Sequence, residues 1–175
     1  TGKNAMFQVS SFPLRTDVMG EELSLGIHAI YRDGSFGVSS ARNHRIAGAT
    51  TLAHPRFGAG LEYVHALGLG ERGDVVANTG GVWLRAEPVE QWLGAAARVD
   101  RTHFDLDVSD ATLLEIRGGL YSTLAAGDSG SRVRVYLYYL NQSYGDAAGP
   151  VPGTSAADTQ SVILTVEATG TYTNP

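Results

Sequence analysis

Five histidines (His28, His44, His54, His65 and His103) and 18 acidic side chains supply the raw material for a metal site. Zinc sites gather their ligands at short fixed spacings, usually with cysteine among them. No two of these histidines share such a spacing, and the chain has no cysteine. They read as isolated surface or inward-facing side chains, and no metal is assigned. The run DLDVSD offers Asp105, Asp107 and Asp110 as oxygen ligands. It lacks the glycine and the distal glutamate of a helix-loop-helix calcium loop, so a solvated acidic loop is expected. Ser129 in GDSGS has a nucleophile's small neighbours, but it lies between two alternating segments, where a hairpin turn explains it. GLGERG, residues 68–73, precedes no helix and therefore builds no phosphate cradle. No catalytic or cofactor-binding residue is assigned, and no enzyme activity is expected.

The charged residues inside the alternating segments are more informative. Glu62, Arg85, Arg98, Glu115, Arg117, Arg132, Arg134 and Glu167 mostly fall opposite the aliphatic side of their own segments. Glu115 and Arg117 with Arg132 and Arg134 could form an anion-binding or catalytic cluster in a pocket. It could equally be an ion-pair network, since charges removed from water are costly unless paired. The network is the expected reading, with the charges lining a lumen or pocket. Tyr136, Tyr138, Tyr139 and Tyr144 offer rings for sugar stacking or for an interface; the plain expectation is packing across a sheet.

The elements that must hold these side chains follow from a period of two, which sends successive side chains to opposite faces of a strand. Leu93, Ala95, Ala97 and Val99 oppose Gly94, Ala96, Arg98 and Asp100; Val82, Leu84 and Ala86 oppose Trp83, Arg85 and Glu87. Glu87 to Glu90 is read as the turn between these two. The same grammar runs through residues 21–31, 45–53, 57–67, 112–125, 132–142 and 160–173. That makes about eight strands. Residues 1–20 alternate only briefly before Pro13 and are read as an extended arm, a plug or an edge strand. Residues 21–175 are then one domain. No segment shows a sustained helical period.

A net charge of -5 provides no basic footprint for nucleic acid. No apolar run reaches the roughly 18 residues that a membrane helix needs, but membrane barrels cross with alternating strands instead. The connections differ in length: residues 54–56, 87–90 and 127–130 are short, 68–74 is intermediate, and 102–110 and 143–159 are long. Up-and-down pairing puts the short ones on one rim, together with both chain termini, and the long ones on the other. The fold expected is an all-β, antiparallel up-and-down β-barrel of about eight strands, with a soluble β-sandwich or jelly roll as the alternative.

In the pattern of Leu23–Tyr31, Val82–Val99, Leu114–Leu137 and Val162–Tyr172, the chain resembles the small eight-stranded outer-membrane β-barrels of Gram-negative bacteria. The resemblance implies a non-enzymatic barrel with a structural, adhesive or narrow-pore role. Its aliphatic face would meet the lipid bilayer, and its long loops would carry recognition. The alternative is a soluble all-β subunit of a virion, phage tail or surface filament. Such a subunit would join its neighbours through Thr1–Gly20 or the 143–159 loop, in an extracellular assembly.

Overall fold

In a computed structural model, the residues described are 5–36, 41–42, 44–69, 72–89, 92–126, 132–148 and 156–169. In most of the alternating segments the backbone is extended. The strands are β1 (Ala5–Val18), β2 (Glu21–Asp33), β3 (Ser35–Phe36), β4 (Ala41–Arg42), β5 (His44–His54), β6 (Phe57–Leu69), β7 (Arg72–Val89), β8 (Leu93–His103), β9 (Thr112–Ala126), β10 (Arg132–Tyr144) and β11 (Thr159–Thr169). Nine of them form one antiparallel up-and-down sheet in the order β1-β2-β5-β6-β7-β8-β9-β10-β11, and β3 pairs with β4 in a small hairpin.

Two expectations are corrected here. The large sheet has nine strands rather than eight, because the expected arm is itself a strand. β1 pairs with β2 from Ala5↔Asp33 to Val18↔Glu21, and the register slips between Ser11 and Leu14. Pro13 lies in that irregularity, on an edge strand, where a missing N–H breaks no ladder. The sheet is also not closed into a barrel: β1 pairs only with β2, and β11 only with β10.

Three strand boundaries differ from the sequence reading. β7 continues through Glu87 to Val89, past a register shift between Ala86 and Val89. Glu87 is thus a strand residue, not part of the turn. β6 and β7 run on into the glycine-rich 68–74 segment, with Leu69 opposite Arg72. By contrast, the long connection read at 102–110 is a loop: residues 104–111 fold on themselves although Phe104, Leu106 and Val108 alternate. Its own bonds include Phe104 N–H to the Ala111 carbonyl at 2.8 Å.

Residues 19–20, 55–56, 90–92 and 127–131 join strands on one rim; residues 34–43, 70–71, 104–111 and 145–158 join them on the other. The three longest connections share the second rim, but so does the two-residue link at 70–71, so short and long connections do not separate as fully as expected. Two of the described loop segments on that rim are tied down. Leu106 donates to the Val76 carbonyl at 2.8 Å, and Gly145 to the Thr112 carbonyl at 2.8 Å. The buried apolar side chains, Ala66, Val75, Ala77, Ala111 and Ala148, also lie toward this rim. Because the strand count is odd, β1 starts on this rim and β11 ends on the other. The two ends therefore do not share the short-turn rim, as an eight-stranded count would require.

Among the described residues, no large side chain is fully buried and no helix covers either face of the sheet. One face carries Ile27, Ile46, Leu61, Leu84, Leu120, Leu137 and Leu164, all exposed. The register carries this face strand to strand, for example through Val82↔Val99, Val99↔Ile116 and Leu120↔Leu137. The opposite parity in every strand makes the polar face.

Candidate functional site: the charged face of the sheet

Cross-strand register arranges the polar face in rows. One row runs Gly60, Trp83, Arg98, Arg117 and Leu140 across β6 to β10. The next runs Gly58, Arg85, Ala96, Gly119 and Tyr138, and below it Gly94 faces Tyr121, which faces Tyr136. Glycine has a specific use beside two of the rings. A side chain at Gly60 would run into the Trp83 indole, and one at Gly94 into the Tyr121 ring. Each ring can therefore lie flat over its neighbouring strand.

Arg98 and Arg117 stand directly opposite each other, a like-charge pairing that is destabilising unless compensated. The compensation is local. Arg98 Nη2 donates to Glu62 Oε2 at 2.8 Å and its Nε to Asp100 Oδ2 at 2.7 Å. Arg117 pairs with Glu115 through Nε at 2.7 Å and also through Nη2, and its Nη2 lies 4.0 Å from Asp100 Oδ2. Gln142 Nε2 donates to the other oxygen of Glu115 at 2.7 Å. Glu62, Arg98, Asp100, Arg117 and Glu115 therefore form one connected chain across four strands.

A second group adjoins it. Arg85 Nη1 contacts Glu87 Oε1 at 3.2 Å, and Tyr121 Oη donates to the same oxygen at 2.7 Å. Arg85 Nη2 also donates to the His54 carbonyl at 3.0 Å. Tyr121 and Tyr136 lie with ring centroids 5.6 Å apart, and Arg134 sits 5.8 Å over the Tyr121 ring. Tyr136 Oη donates to Glu167 Oε2 at 2.7 Å on the edge strand. Arg134 Nε, Asp100 Oδ1 and Thr123 Oγ1 are buried without a partner.

Of the eight charges singled out in the sequence, Glu62, Arg98, Glu115 and Arg117 thus meet in one network. Arg85 belongs to the second group, while Arg134 and Glu167 flank it. For Arg132 only the backbone is described, opposite Ala126 and Thr169. Sequence reading missed Asp100, Glu87 and Tyr121 as members. Parity alone puts Asp100 and Tyr121 on the charged face. Glu87 was hidden by its apparent place in a turn.

The remaining candidates are dispersed. His28 bridges Ser10 Oγ and Thr51 Oγ1, each at 3.0 Å. His44 pairs with Asp33 at 2.8 Å, His65 with Asn78 at 2.7 Å and His103 with the Val108 carbonyl at 2.9 Å. His54 reaches the Val18 carbonyl at 2.9 Å and stacks on Phe57. Among the described residues, no three potential metal ligands cluster. Asp105 is not the solvated carboxylate expected: it is buried, and its Oδ1 accepts from the Asp107 N–H at 3.1 Å. Of the tyrosine group, Tyr136 and Tyr138 share the charged face, while Tyr139 is on the aliphatic one. Ser129 and residues 70–71 of the glycine-rich run lie outside the described residues.

No family model, curated protein or solved structure matches this chain.

Proposed function

We propose that this chain forms the wall of a β-barrel in a bacterial outer membrane, non-enzymatic, with a structural, adhesive or narrow-pore role. One observation carries the reading. Among the described residues the aliphatic face stays bare across the sheet, with Leu120 59% and Leu164 67% exposed, and no second layer covers it. A soluble monomer rarely leaves so broad an apolar surface open to water. Acyl chains are a solvent that such a face fits, and the ion pairs of the opposite face then belong in the lumen.

Strand length supports the same reading. The shortest main-sheet strands have 11 residues. A transmembrane strand needs about 9–11 residues when tilted. The three longest connections, residues 34–43, 104–111 and 145–158, share one rim, as the outer loops of such barrels do. In lipid, the free backbone groups of β1 and β11 have no water to bond, so an open sheet must close there.

A second reading has its own support in those edges. Each of β1 and β11 offers an unpaired ladder along its length, which is a template for a neighbour's strand. A soluble assembly subunit would use it. Refolding into detergent separates the two. The barrel reading expects an unheated band that migrates differently from the boiled one, and protease-resistant strands after insertion into vesicles. Stable dispersion in buffer without detergent, as particles or fibres lost on deleting residues 1–20, overturns it in favour of assembly.

A further inference from the structure

The first and last strands of the large sheet have a neighbour on one side only. β1 pairs with β2 and β11 with β10, and no ladder joins β1 to β11 within the chain. An unpaired edge is a template for another chain, and proteins that avoid such pairing blunt it with lysines, prolines or very short strands. Neither edge is blunted along its length. β11 has 11 residues, no proline and one charge, Glu167. β1 has 14 residues. Its Pro13 and its register slip lie between Ser11 and Leu14, and its two charges, Arg15 and Asp17, come after them. Ala5 to Ser11 is therefore an unbroken, uncharged ladder in which every residue is exposed.

The direction of the edges selects the partner. With nine strands in up-and-down order, β1 and β11 run the same way, both starting from the rim that holds the three longest connections. Joining β11 of one copy to β1 of the next is a parallel pairing, and it keeps those loops on one rim in every copy. Pairing like with like, β1 to β1 or β11 to β11, is antiparallel and sets the long loops of one copy beside the tight turns of the other. Faces and charges favour the first arrangement. Phe7 and Val9 stand opposite Tyr31 and Ala29, on the same aliphatic face as Val162, Leu164 and Val166, so the apolar surface continues across the joint. On the charged face, Arg15 and Glu167 both lie near the end of their strands, toward the same rim. Glu167 accepts from Tyr136 and stands opposite Arg134 but, among the described residues, forms no ion pair; Arg15 has only Glu22, at 3.8 Å. Pairing like edges would lay each of these charges against the uncharged start of the other copy's strand.

We propose that β11 of one copy pairs in parallel with β1 of a second copy of this chain, joining copies head to tail into one continuous sheet. Such a heterologous contact repeats until a ring closes or, where it does not close, runs on as a filament. In lipid only the ring leaves no edge unpaired. The open edges on which this pairing rests are common to the barrel and the assembly readings, so the pairing names the partner in either one and depends on neither medium.

The chain has no cysteine, so a single thiol can be placed on each edge. V9C and L164C alter exposed side chains of the aliphatic face, 69% and 67% accessible. The two variants are mixed unfolded, refolded together in whichever medium keeps the wild type folded, and treated with a short bis-maleimide. V162C and V166C replace L164C in separate mixtures, so a pairing shifted along the ladder is also caught. The expected result is a covalent dimer, at twice the chain mass on a denaturing gel, in at least one mixture, with monomer alone from each variant by itself. Dimer from V9C by itself, or from a β11 variant by itself, means that like edges pair and overturns the proposal. A V9C/L164C double variant bridged within one chain by a single reagent molecule means that β1 closes on its own β11, and overturns it too, as does the absence of dimer from every mixture. Sedimentation of the wild-type chain needs no substitution: particles of two or more copies are expected, and single copies at every concentration overturn the proposal. The medium in which the chain folds separates barrel from assembly, whereas the pattern of links reports the joint, so the two can fail independently.

Discussion

Ile27 and His28 are consecutive in β2, and the sheet sends them to opposite worlds. Ile27 stands half exposed among other aliphatic side chains with nothing above it. His28 is held between Ser10 and Thr51, in the space over Gly26. The contrast repeats along the strands: Leu84 beside Arg85, Ala97 beside Arg98, Ile116 beside Arg117. One face pairs most of its polar groups; among the described residues, the other has nothing packed on it. A polar side chain has to find a specific neighbour, because a lone buried charge is costly. An aliphatic one needs only a medium that is not water. The charged face is therefore specified by the chain, and the aliphatic face by whatever covers it.

The strongest way to break that comparison is to put a charge on the aliphatic face. Leu120→Arg in the middle of β9 is expected to cost about 2–4 kcal/mol of folding free energy in vesicles, the depth-dependent penalty for a basic residue facing lipid. Reversible denaturant titration in vesicles measures it. A chain whose stability is unchanged, or whose solubility improves without detergent, has its aliphatic face in water.

The charged face is sharpened next. Arg98→Met removes the centre of the network, leaves Glu62 without its cation and leaves Asp100 only Arg117, 4.0 Å away. The guanidinium is about a third exposed, so screening reduces the loss; about 1–2 kcal/mol is expected from the same titration. Glu62→Gln in the same background should recover part of it, because one uncompensated carboxylate is then removed. Additive losses would mean that the two side chains do not interact.

A smaller effect is expected at Gly60. A methyl group there meets only the Trp83 indole, which can swing aside. Gly60→Ala is expected to change stability by less than about 1 kcal/mol and to shift Trp83 fluorescence, recorded with Trp92 replaced by Phe. An unaltered spectrum would show that the indole does not lie over Gly60. The smallest effect belongs to Arg15 and Glu22, 3.8 Å apart and both more than half exposed. Glu22→Gln should cost at most about 0.5 kcal/mol, as for exposed ion pairs generally.

These contrasts were largely legible in the sequence, because parity needs no partner. Leu23 to Tyr31 and Val162 to Val166 announce their faces by alternation alone. Closure and strand count were less legible. Pro13 reads as an interruption, yet the slip between Ser11 and Leu14 absorbs it and β1 continues. The charged, glycine-rich text around residues 68–74 reads as a loop, but β6 and β7 extend into it as a long hairpin. Glu87 looked like a turn residue because Pro88 follows it, although its parity with Trp83 and Arg85 already set it on the charged face; β7 in fact continues to Val89.

The odd strand number has a consequence for sidedness. A ribbon that crosses its layer nine times leaves on the side opposite to the one it entered. Should this sheet divide two compartments, an affinity tag placed before Ala5 and another placed after Thr169 would face different aqueous spaces, and an impermeant label could reach only one of them in a sealed vesicle.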